Sequence, residues 1–162
     1  MDGPRKRPSW DEYFMTIAYD VASRSNCLRR SVGAVIVKGR NIISTGYNGT
    51  PIGVQDCFDG GCPRCQSDAP SHTGYDTCIC VHAEENAIAF AARHGTQADE
   101  SVMYTTLRPC LGCLKLCVQA GIREIVYSEG FQYEEELEVV YRQLVEEAGL
   151  RMRQLKLERK EA

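Results

Sequence analysis

The sequence contains no long hydrophobic run and no excess of basic residues. No apolar stretch approaches the roughly 18 residues that a membrane-spanning helix needs. The 19 lysine and arginine residues stand against 22 aspartate and glutamate residues, giving a formal net charge of −3. Proteins that bind nucleic acid or membrane surfaces through phosphate contacts are usually basic. No apolar signal core follows the basic residues 1–8, so we expect a cytoplasmic protein without a nucleic-acid or membrane partner.

The cysteine content excludes another class. The nine cysteines are an odd number, and without a secretion signal this argues against a disulfide framework. Six of them form pairs two or three residues apart, which lets two thiolates reach one cation. Metal binding is therefore the leading interpretation. The length of 162 residues, with 43% hydrophobic and 25% charged residues, predicts one globular domain spanning residues 1–162.

Hydrophobic periodicity predicts alternating strands and helices. Ser9 and Glu12 form a capping box before a helix that extends to about residue 23. A β-hairpin follows at 32–46, and further strands are predicted at 102–106, 122–127 and 150–157. Helices are predicted at 82–94, from Pro109 to about residue 120, and around 137–148. This pattern predicts an α/β sandwich with a mixed five-stranded sheet, ending in a frayed charged tail at about 158–162.

Two helix starts carry the clearest chemistry. His82-Ala83-Glu84 opens one helix, and Pro109-Cys110-Leu111-Gly112-Cys113 opens another. One imidazole (His82) and two thiolates (Cys110 and Cys113) suit zinc, and three protein ligands leave the fourth position that catalytic zinc sites keep open. Glu84 then reaches the zinc-bound water without binding the metal. The alternative is a structural zinc site with Glu84 as an ordinary first-turn acid.

This spacing resembles the H-x-E…P-C-x-x-C signature of zinc nucleobase deaminases. Attack on C4 of cytosine near neutral pH needs hydroxide, which zinc supplies by lowering the pKa of its water toward about 7. The ring nitrogen and the leaving ammonia need protons, and one carboxyl group, Glu84, can move both.

These two motifs resemble the cytidine deaminase superfamily. The stretches at 10–15, 32–37 and 46–53, the last reading GYNGTPIG, are similar to deoxycytidylate (dCMP) deaminases, and the resemblance covers about residues 9–155. It implies a single deaminase domain with a three-layer α-β-α sandwich. It also implies hydrolysis of dCMP to dUMP and ammonia, which supplies the precursor of thymidylate.

The resemblance also implies a nucleotide site. Asn48 would bind the sugar, and Gly46, Gly49 and Gly53 would let the backbone approach a ligand closely. A simple turn at the end of the hairpin is the alternative. Other residues that the resemblance or their position assigns to substrate binding are Tyr47, Thr50, Ala83, Arg108, Phe131 and Tyr133. For Arg108, a candidate phosphate ligand, the alternative is an exposed charge without a ligand.

A second set of metal ligands lies mostly in a loop at about 47–80, which has almost no apolar periodicity and needs something to hold it. The resemblance implies a structural zinc bound by Cys27 and Cys57, for which His72, Cys78 and Cys80 compete as further ligands. Cys62 and Cys65, together with Cys78 and Cys80, offer a separate site of four thiolates. One or two structural zinc ions are both compatible with the sequence, as is a set of small buried side chains. Cys117 is predicted to be a core residue.

Members of the resembled family are usually homohexamers that deoxycytidine triphosphate activates and thymidine triphosphate inhibits. Phe90 and Arg93 match family positions at the subunit and effector region, with a core phenylalanine and a solvated arginine as the alternative. Three other functions compete: deamination of another cytosine compound (dCTP, CMP or deoxycytidine), editing of RNA or DNA, and zinc or nucleotide binding without catalysis. The acidic balance disfavours editing, and an intact Glu84 disfavours a protein without catalysis.

Overall fold

The computed structural model describes residues 6–71 and 73–157. Within these residues the chain forms five strands, five helices and two short 3₁₀ turns. In chain order the elements are α1 (Trp10–Ala22), β1 (Gly33–Lys38), β2 (Asn41–Tyr47), a 3₁₀ turn (Cys57–Asp59), α2 (Pro63–Gln66), a 3₁₀ turn (Tyr75–Thr77), α3 (Ala83–Arg93), β3 (Ser101–Leu107), α4 (Leu111–Gln119), β4 (Ile122–Glu129), α5 (Glu135–Glu147) and β5 (Arg151–Gln154).

The five strands form one mixed sheet in the order β2-β1-β3-β4-β5. Strand β1 is antiparallel to both β2 and β3, whereas β3, β4 and β5 are parallel to one another. The predicted hairpin and the predicted α/β fold with a five-stranded mixed sheet are confirmed. The predicted tail at 158–162 lies outside the described residues.

Helices cover both faces of the sheet, which makes three layers. Side chains alternate across a strand, so Val35 and Val37 of β1 face α1, where Phe14, Met15 and Ala18 pack against them. Helices α3, α4 and α5 pack on the opposite face. The core of that face contains Ala34, Ile36, Ala83, Ala87, Met103, Leu114, Cys117, Ile125 and Tyr141. In the described ranges, no helix combines the length and the apolar character that a membrane span requires.

The start of α1 is a capping box, as the sequence predicts. The Ser9 backbone N–H donates to the Glu12 carboxylate at 2.6 Å, and the Glu12 N–H donates to the Ser9 hydroxyl at 3.2 Å. These two bonds satisfy backbone donors that the first turn of a helix leaves without partners. Arg153 of β5 fixes the same turn from the far edge of the sheet, because its guanidinium donates two hydrogen bonds to Asp11 at 2.7 and 2.8 Å.

Two glycines let helices approach the sheet closely. A Cβ atom at Gly33 would overlap the Ala18 carbonyl oxygen of α1, and one at Gly46 would overlap the Ala83 carbonyl oxygen of α3. The close neighbour of Gly46 in the structure is helix α3, whereas the sequence analysis assigned this glycine to the approach of a ligand. This contact sets the position of Ala83, which lies between His82 and Glu84.

The register gathers the candidate residues at one end of the sheet. Gly33 at the start of β1 pairs with Tyr47 at the end of β2, and Ala34 pairs with Thr105 near the end of β3. In the parallel pair, Leu107 is opposite Glu129 at the end of β4. The segments that follow β2, β3 and β4 therefore leave the sheet side by side.

Candidate active site

The N-termini of α3 and α4 meet at the predicted metal site. His82 and Cys110 are the N-cap residues of these helices, so each helix begins one residue or more after the predicted start at His82 and Pro109. The His82 Nδ1 atom lies 3.3 Å from the Cys113 Sγ and 3.5 Å from the Cys110 Sγ. The structure thus brings the three predicted ligands together, although they come from separate segments of the chain.

The donor geometry fits a tetrahedral zinc ion. Zn–N bonds of about 2.0–2.1 Å and Zn–S bonds of about 2.3 Å at tetrahedral angles separate a ligand nitrogen from a ligand sulfur by about 3.5 Å. The two observed nitrogen–sulfur distances agree with this value. The ligand atoms of His82, Cys110 and Cys113 all lie within 4.8 Å of one another. One imidazole and two thiolates are also a donor set that zinc prefers.

The surroundings of Cys110 favour its thiolate form, which is the form that binds a metal. Hydrogen bonds from Cys113 and His82 lower the pKa of Cys110 to about 4, although burial opposes the shift. The hydrogen bond with Cys110 is the main cause that raises the pKa of His82 to about 9. The Cys110 thiolate also accepts a hydrogen bond from the Cys113 backbone N–H at 3.5 Å, at the positive end of α4. A negative sulfur is therefore stabilised at this position.

Glu84 lies in the first turn of α3 and is only 4% exposed. Burial raises the pKa of Glu84 to about 7, while its contacts with the backbone, His82 and Cys113 act in the opposite direction. The carboxylate is not part of the three-ligand cluster that the described residues form. A buried carboxyl group beside a metal site, with a pKa near neutrality, can both accept and donate a proton.

The loop after β2 is joined directly to the start of α3. Gly49 and Val81 form an isolated antiparallel bridge, in which the Val81 N–H donates to the Gly49 carbonyl at 2.8 Å and the Gly49 N–H donates back at 3.1 Å. Val81 immediately precedes His82. The predicted nucleotide loop and the predicted metal ligand are therefore fixed relative to each other by two backbone hydrogen bonds.

Asn48 is buried and joins the loop after β2 to the residues that precede β1. Its side-chain oxygen accepts a hydrogen bond from the Val32 N–H at 2.8 Å, and its amide nitrogen donates to the Arg30 carbonyl at 2.7 Å. The Ser25 hydroxyl donates to the Asn48 carbonyl at 2.8 Å. An amide nitrogen carries two N–H donors, so the bond to Arg30 leaves one donor for a ligand.

Two asparagines that the sequence analysis passed over also shape this loop. The Asn26 side-chain oxygen accepts from the Thr50 N–H at 3.1 Å, and its amide nitrogen donates to Asp56 at 2.7 Å. Asn86 of α3 donates to the Tyr47 carbonyl at 2.7 Å. Asn26 lies directly before Cys27, and this position was the only sequence signal that could have indicated its role.

Arg108 is buried and ion-paired, so the alternative of an exposed charge is wrong. Its guanidinium donates to the two carboxylate oxygens of Glu138 at 2.8 and 3.0 Å and to the Phe131 carbonyl at 2.6 Å. It also lies 3.9 Å from the ring centroid of Tyr141. A phosphate group at Arg108 would therefore compete with Glu138, and these contacts favour a structural role.

Tyr133 contacts the start of α4, next to a candidate metal ligand. Its hydroxyl oxygen accepts a hydrogen bond from the Leu111 N–H at 2.9 Å, one residue after Cys110. The hydroxyl proton remains available as a donor. Phe131 packs edge-on against Tyr133, with ring centroids 5.1 Å apart.

The second set of cysteines converges around the loop after β2. Two groups of four sulfur atoms have members that all lie within 4.8 Å of one another: Cys27, Cys57, Cys65 and Cys80 form one, and Cys62, Cys65, Cys78 and Cys80 form the other. The remaining candidate ligand, His72, lies outside the described residues. Cys117 is fully buried and contacts Met103 at 3.8 Å, as its predicted core role requires.

The two residues predicted at the effector region lie on α3. Phe90 is half-buried and Arg93 is exposed in the last turn of the helix. Phe90 accepts two hydrogen bonds from His94 through its carbonyl oxygen. Their role at the subunit and effector region stays a prediction.

Comparison with known proteins agrees with this geometry. Residues 8–129 match the family model described as the cytidine and deoxycytidylate deaminase zinc-binding region. The deoxycytidylate deaminase of Mycobacterium phage D29 is 43% identical over 126 residues, which are 75% of this chain and 95% of the phage protein. The deoxycytidylate deaminase of Saccharomyces cerevisiae is 47% identical over 151 residues, which are 93% of this chain but 46% of the yeast protein. The chain thus spans about half the length of that relative.

A solved structure shows the same fold. The dCMP deaminase of cyanophage S-TIM5, crystallised in complex with dCMP and dUMP, superposes with a TM-score of 0.70 at 26% sequence identity, and the alignment covers 93% of this chain and 100% of that chain. This likeness confirms the predicted three-layer fold. The chain therefore belongs to the cytidine and deoxycytidylate deaminase family.

Proposed function

We propose that this protein catalyses the hydrolytic deamination of dCMP to dUMP and ammonia. The observation that carries the proposal is the convergence of three zinc ligands, a buried Glu84 and the backbone bridge between Gly49 and Val81 at one end of the sheet. The named relatives support dCMP as the substrate, since the proteins of phage D29 and yeast are deoxycytidylate deaminases. The single sheet also supports one deaminase domain for residues 1–162.

His82, Cys110 and Cys113 are the residues that would hold a catalytic zinc ion. A zinc ion bound there supplies an activated water for attack on C4 of the cytosine ring. Both helix N-termini point their positive ends at this place, which favours the two thiolates and the developing negative charge. We further propose that structural zinc is bound by cysteines of a second set: Cys27, Cys57, Cys62, Cys65, Cys78 and Cys80.

Glu84 would carry the protons of the reaction. Its carboxylate accepts one proton from the attacking water and delivers it to the ring nitrogen N3. It then transfers the second proton of the same water to the amino group at C4, which leaves as ammonia while the C4 carbonyl forms. Burial keeps the carboxyl group away from bulk water, so that protons pass between reacting atoms.

The nucleotide would lie between the loop after β2 and the start of α4. The free N–H of Asn48 is available to a sugar hydroxyl, and Gly49 and Thr50 close the loop over it. The Tyr133 hydroxyl is available to the phosphate. Ala83 is fully buried between His82 and Glu84, where its backbone is the part that a base can contact.

The family resemblance extends the proposal to assembly and control. We propose a homohexamer that responds to dCTP and dTTP, with Phe90 and Arg93 at the subunit and effector region. Exposed apolar side chains on α5, such as Val139 at 58% and Val140 at 51% exposure, support burial against another chain. A cytoplasmic location is proposed because metal-binding thiols need a reducing compartment.

Ammonia release from a panel of cytosine compounds tests the function. The panel contains dCMP, dCTP, CMP, deoxycytidine and cytosine, each with and without added dCTP. We expect a strong preference for dCMP in wild-type protein. In Glu84→Gln we expect kcat to fall by about 10³-fold with the zinc content unchanged, whereas Glu136→Gln, which changes an exposed carboxylate on α5, is the matched control and should retain full activity.

Three results would contradict the proposal. Preference for dCTP or deoxycytidine over dCMP would assign a different cytosine substrate. Zinc binding without deamination of any compound would favour a binding protein. Substantial activity in Glu84→Gln would refute the proton-transfer role of Glu84.

A further inference from the structure

The six cysteines outside the catalytic site and the core form two groups of four sulfur atoms, and two cysteines belong to both groups. Cys65 and Cys80 belong to both groups of four sulfur atoms. Cys27 and Cys57 belong to one group only, and Cys62 and Cys78 belong to the other only. The contacts repeat this pattern, because Cys27 and Cys62, from different groups, each contact both Cys65 and Cys80.

The distances within each group are those of zinc thiolates. Two sulfur ligands on one tetrahedral zinc with Zn–S bonds of about 2.3 Å lie about 3.8 Å apart. The Cys27 and Cys65 sulfur atoms are 3.8 Å apart in the first group, and the Cys62 and Cys78 sulfur atoms are 3.9 Å apart in the second. A disulfide needs an S–S distance of about 2.05 Å, and all of these cysteines are free.

The number of cysteines distinguishes two independent four-thiolate sites from two sites that share thiolates. Two independent sites of four thiolates need eight cysteines. The chain has nine, but Cys110 and Cys113 bind at the catalytic site and Cys117 is buried in the main core. Six cysteines can complete two tetrahedra only if two sulfur atoms each bind both metals.

We propose that the six cysteines bind two zinc ions that share the thiolates of Cys65 and Cys80. Cys27 and Cys57 complete the ligands of one ion, and Cys62 and Cys78 complete those of the other. This inference rests on the proposal that these cysteines bind structural zinc, but it does not depend on the deaminase activity, because the two ions lie outside the deaminase site.

The surroundings suit a cluster of negative charge. Two Zn²⁺ ions with six thiolates carry a net charge of −2, which nearby donors must stabilise. The Leu28 N–H donates to the Cys57 sulfur at 3.5 Å, and backbone N–H groups of Arg29 and Ile79 donate to Cys27 and Cys62. The buried guanidinium of Arg64 adds a positive charge close to Cys78.

The cluster takes the place of a hydrophobic core in the long loop. Apart from its cysteines, this local cluster contains no other buried apolar side chain among the described residues. Cys80 lies two residues before His82, and Val81 between them pairs with Gly49. The two shared thiolates would therefore fix the positions of both the loop at Gly49 and the candidate zinc ligand His82.

Zinc analysis of the wild-type holoenzyme tests the inference without any variant. We expect three zinc ions per chain, one catalytic and two in the cluster. X-ray absorption should also show zinc–zinc scattering, because two ions that share a sulfur cannot be farther apart than twice the Zn–S bond, about 4.6 Å. Two zinc ions per chain, or three without short zinc–zinc scattering, would overturn the inference.

Three variants separate this inference from the proposed function. His82→Ala should lose the catalytic zinc and the activity but keep two ions and their zinc–zinc scattering. His72→Ala and Cys117→Ala should keep three ions, since neither side chain belongs to the six-cysteine set. Loss of one cluster ion in His72→Ala would show that the His72 imidazole is a ligand of that ion in place of a shared thiolate. This result would refute the sharing of thiolates. Absence of deamination with three ions and short zinc–zinc scattering would refute the proposed function alone.

Discussion

The buried ion pair between Arg108 and Glu138 allows a decisive test of what Arg108 does. The pair is bidentate, and the side chains of Arg108 and Glu138 are 9% and 12% exposed. Arg108 also holds the Phe131 carbonyl, and Glu138 accepts from the Tyr133 N–H at 3.1 Å. The pair therefore fixes the segment that presents the Tyr133 hydroxyl to α4.

We expect Arg108→Met to lower the free energy of unfolding by about 3 kcal/mol. Methionine fills a similar volume but leaves the Glu138 carboxylate without its two shortest hydrogen bonds. Removing one partner of a buried ion pair costs about 3–5 kcal/mol, and the lower end applies because Glu138 keeps the bond from Tyr133 and the contact with exposed Arg142 at 3.4 Å.

Urea denaturation of four proteins measures the effect: wild type, Arg108→Met, Glu138→Met and the double variant. Replacing both partners removes the unpaired charge, so the double variant should be within about 1–2 kcal/mol of wild type and more stable than Arg108→Met. Hydrogen bonds from Arg108 lower the pKa of Glu138 below its ordinary value of 4.5. The stabilisation is therefore present above that pH and is lost as the pH falls through the lowered pKa of the folded state.

Steady-state kinetics supply the refuting result. If Arg108 bound the substrate phosphate, Arg108→Met would raise the KM for dCMP far more than that for deoxycytidine. It would also leave the free energy of unfolding within about 1 kcal/mol of wild type. That combination would contradict the structural role assigned here.

Three further predictions concern the site. Gly46→Ala should destabilise the fold by about 2–3 kcal/mol and reduce activity, because the added Cβ would displace α3 at Ala83. The control is Gly130→Ala, in which the added Cβ would meet only atoms at 3.6 Å or more, so its stability should change by less than about 1 kcal/mol. Thermal denaturation measures both effects. Asn48→Ala should raise the KM for dCMP and cost about 1–3 kcal/mol, since the Val32 N–H loses its acceptor; urea titration and initial rates measure the two effects. Tyr133→Phe should raise the KM for dCMP more than that for deoxycytidine and leave kcat close to wild type, which initial rates on both substrates would check.

The sequence determined the local chemistry and most of the elements. Interactions over three or four residues account for the capping box at Ser9 and Glu12 and for the hairpin. They also account for the helices that precede and follow β3 along the chain, α3 and α4. The candidate metal ligands His82, Cys110 and Cys113 and the candidate proton carrier Glu84 were also predictable, because His-x-Glu and Pro-Cys-x-x-Cys each fit within one helical turn. The spacing of residues along the chain directly encodes helix caps, turns and short motifs. Packing against distant segments does not change that spacing.

Only the tertiary structure decided features that join distant segments. Arg108 precedes the PCxxC motif and resembled an exposed or phosphate-binding residue, but Glu138, 30 positions later, fixes its side chain in the interior. Gly46 was assigned to a ligand contact because no local pattern reveals that α3 crosses β2 at that position. The sharing of Cys65 and Cys80 between two groups likewise depends on the approach of Cys27, 38 residues before Cys65. Spacing along the chain shows which side chains can bind a metal, whereas the folded loop determines which of them share one.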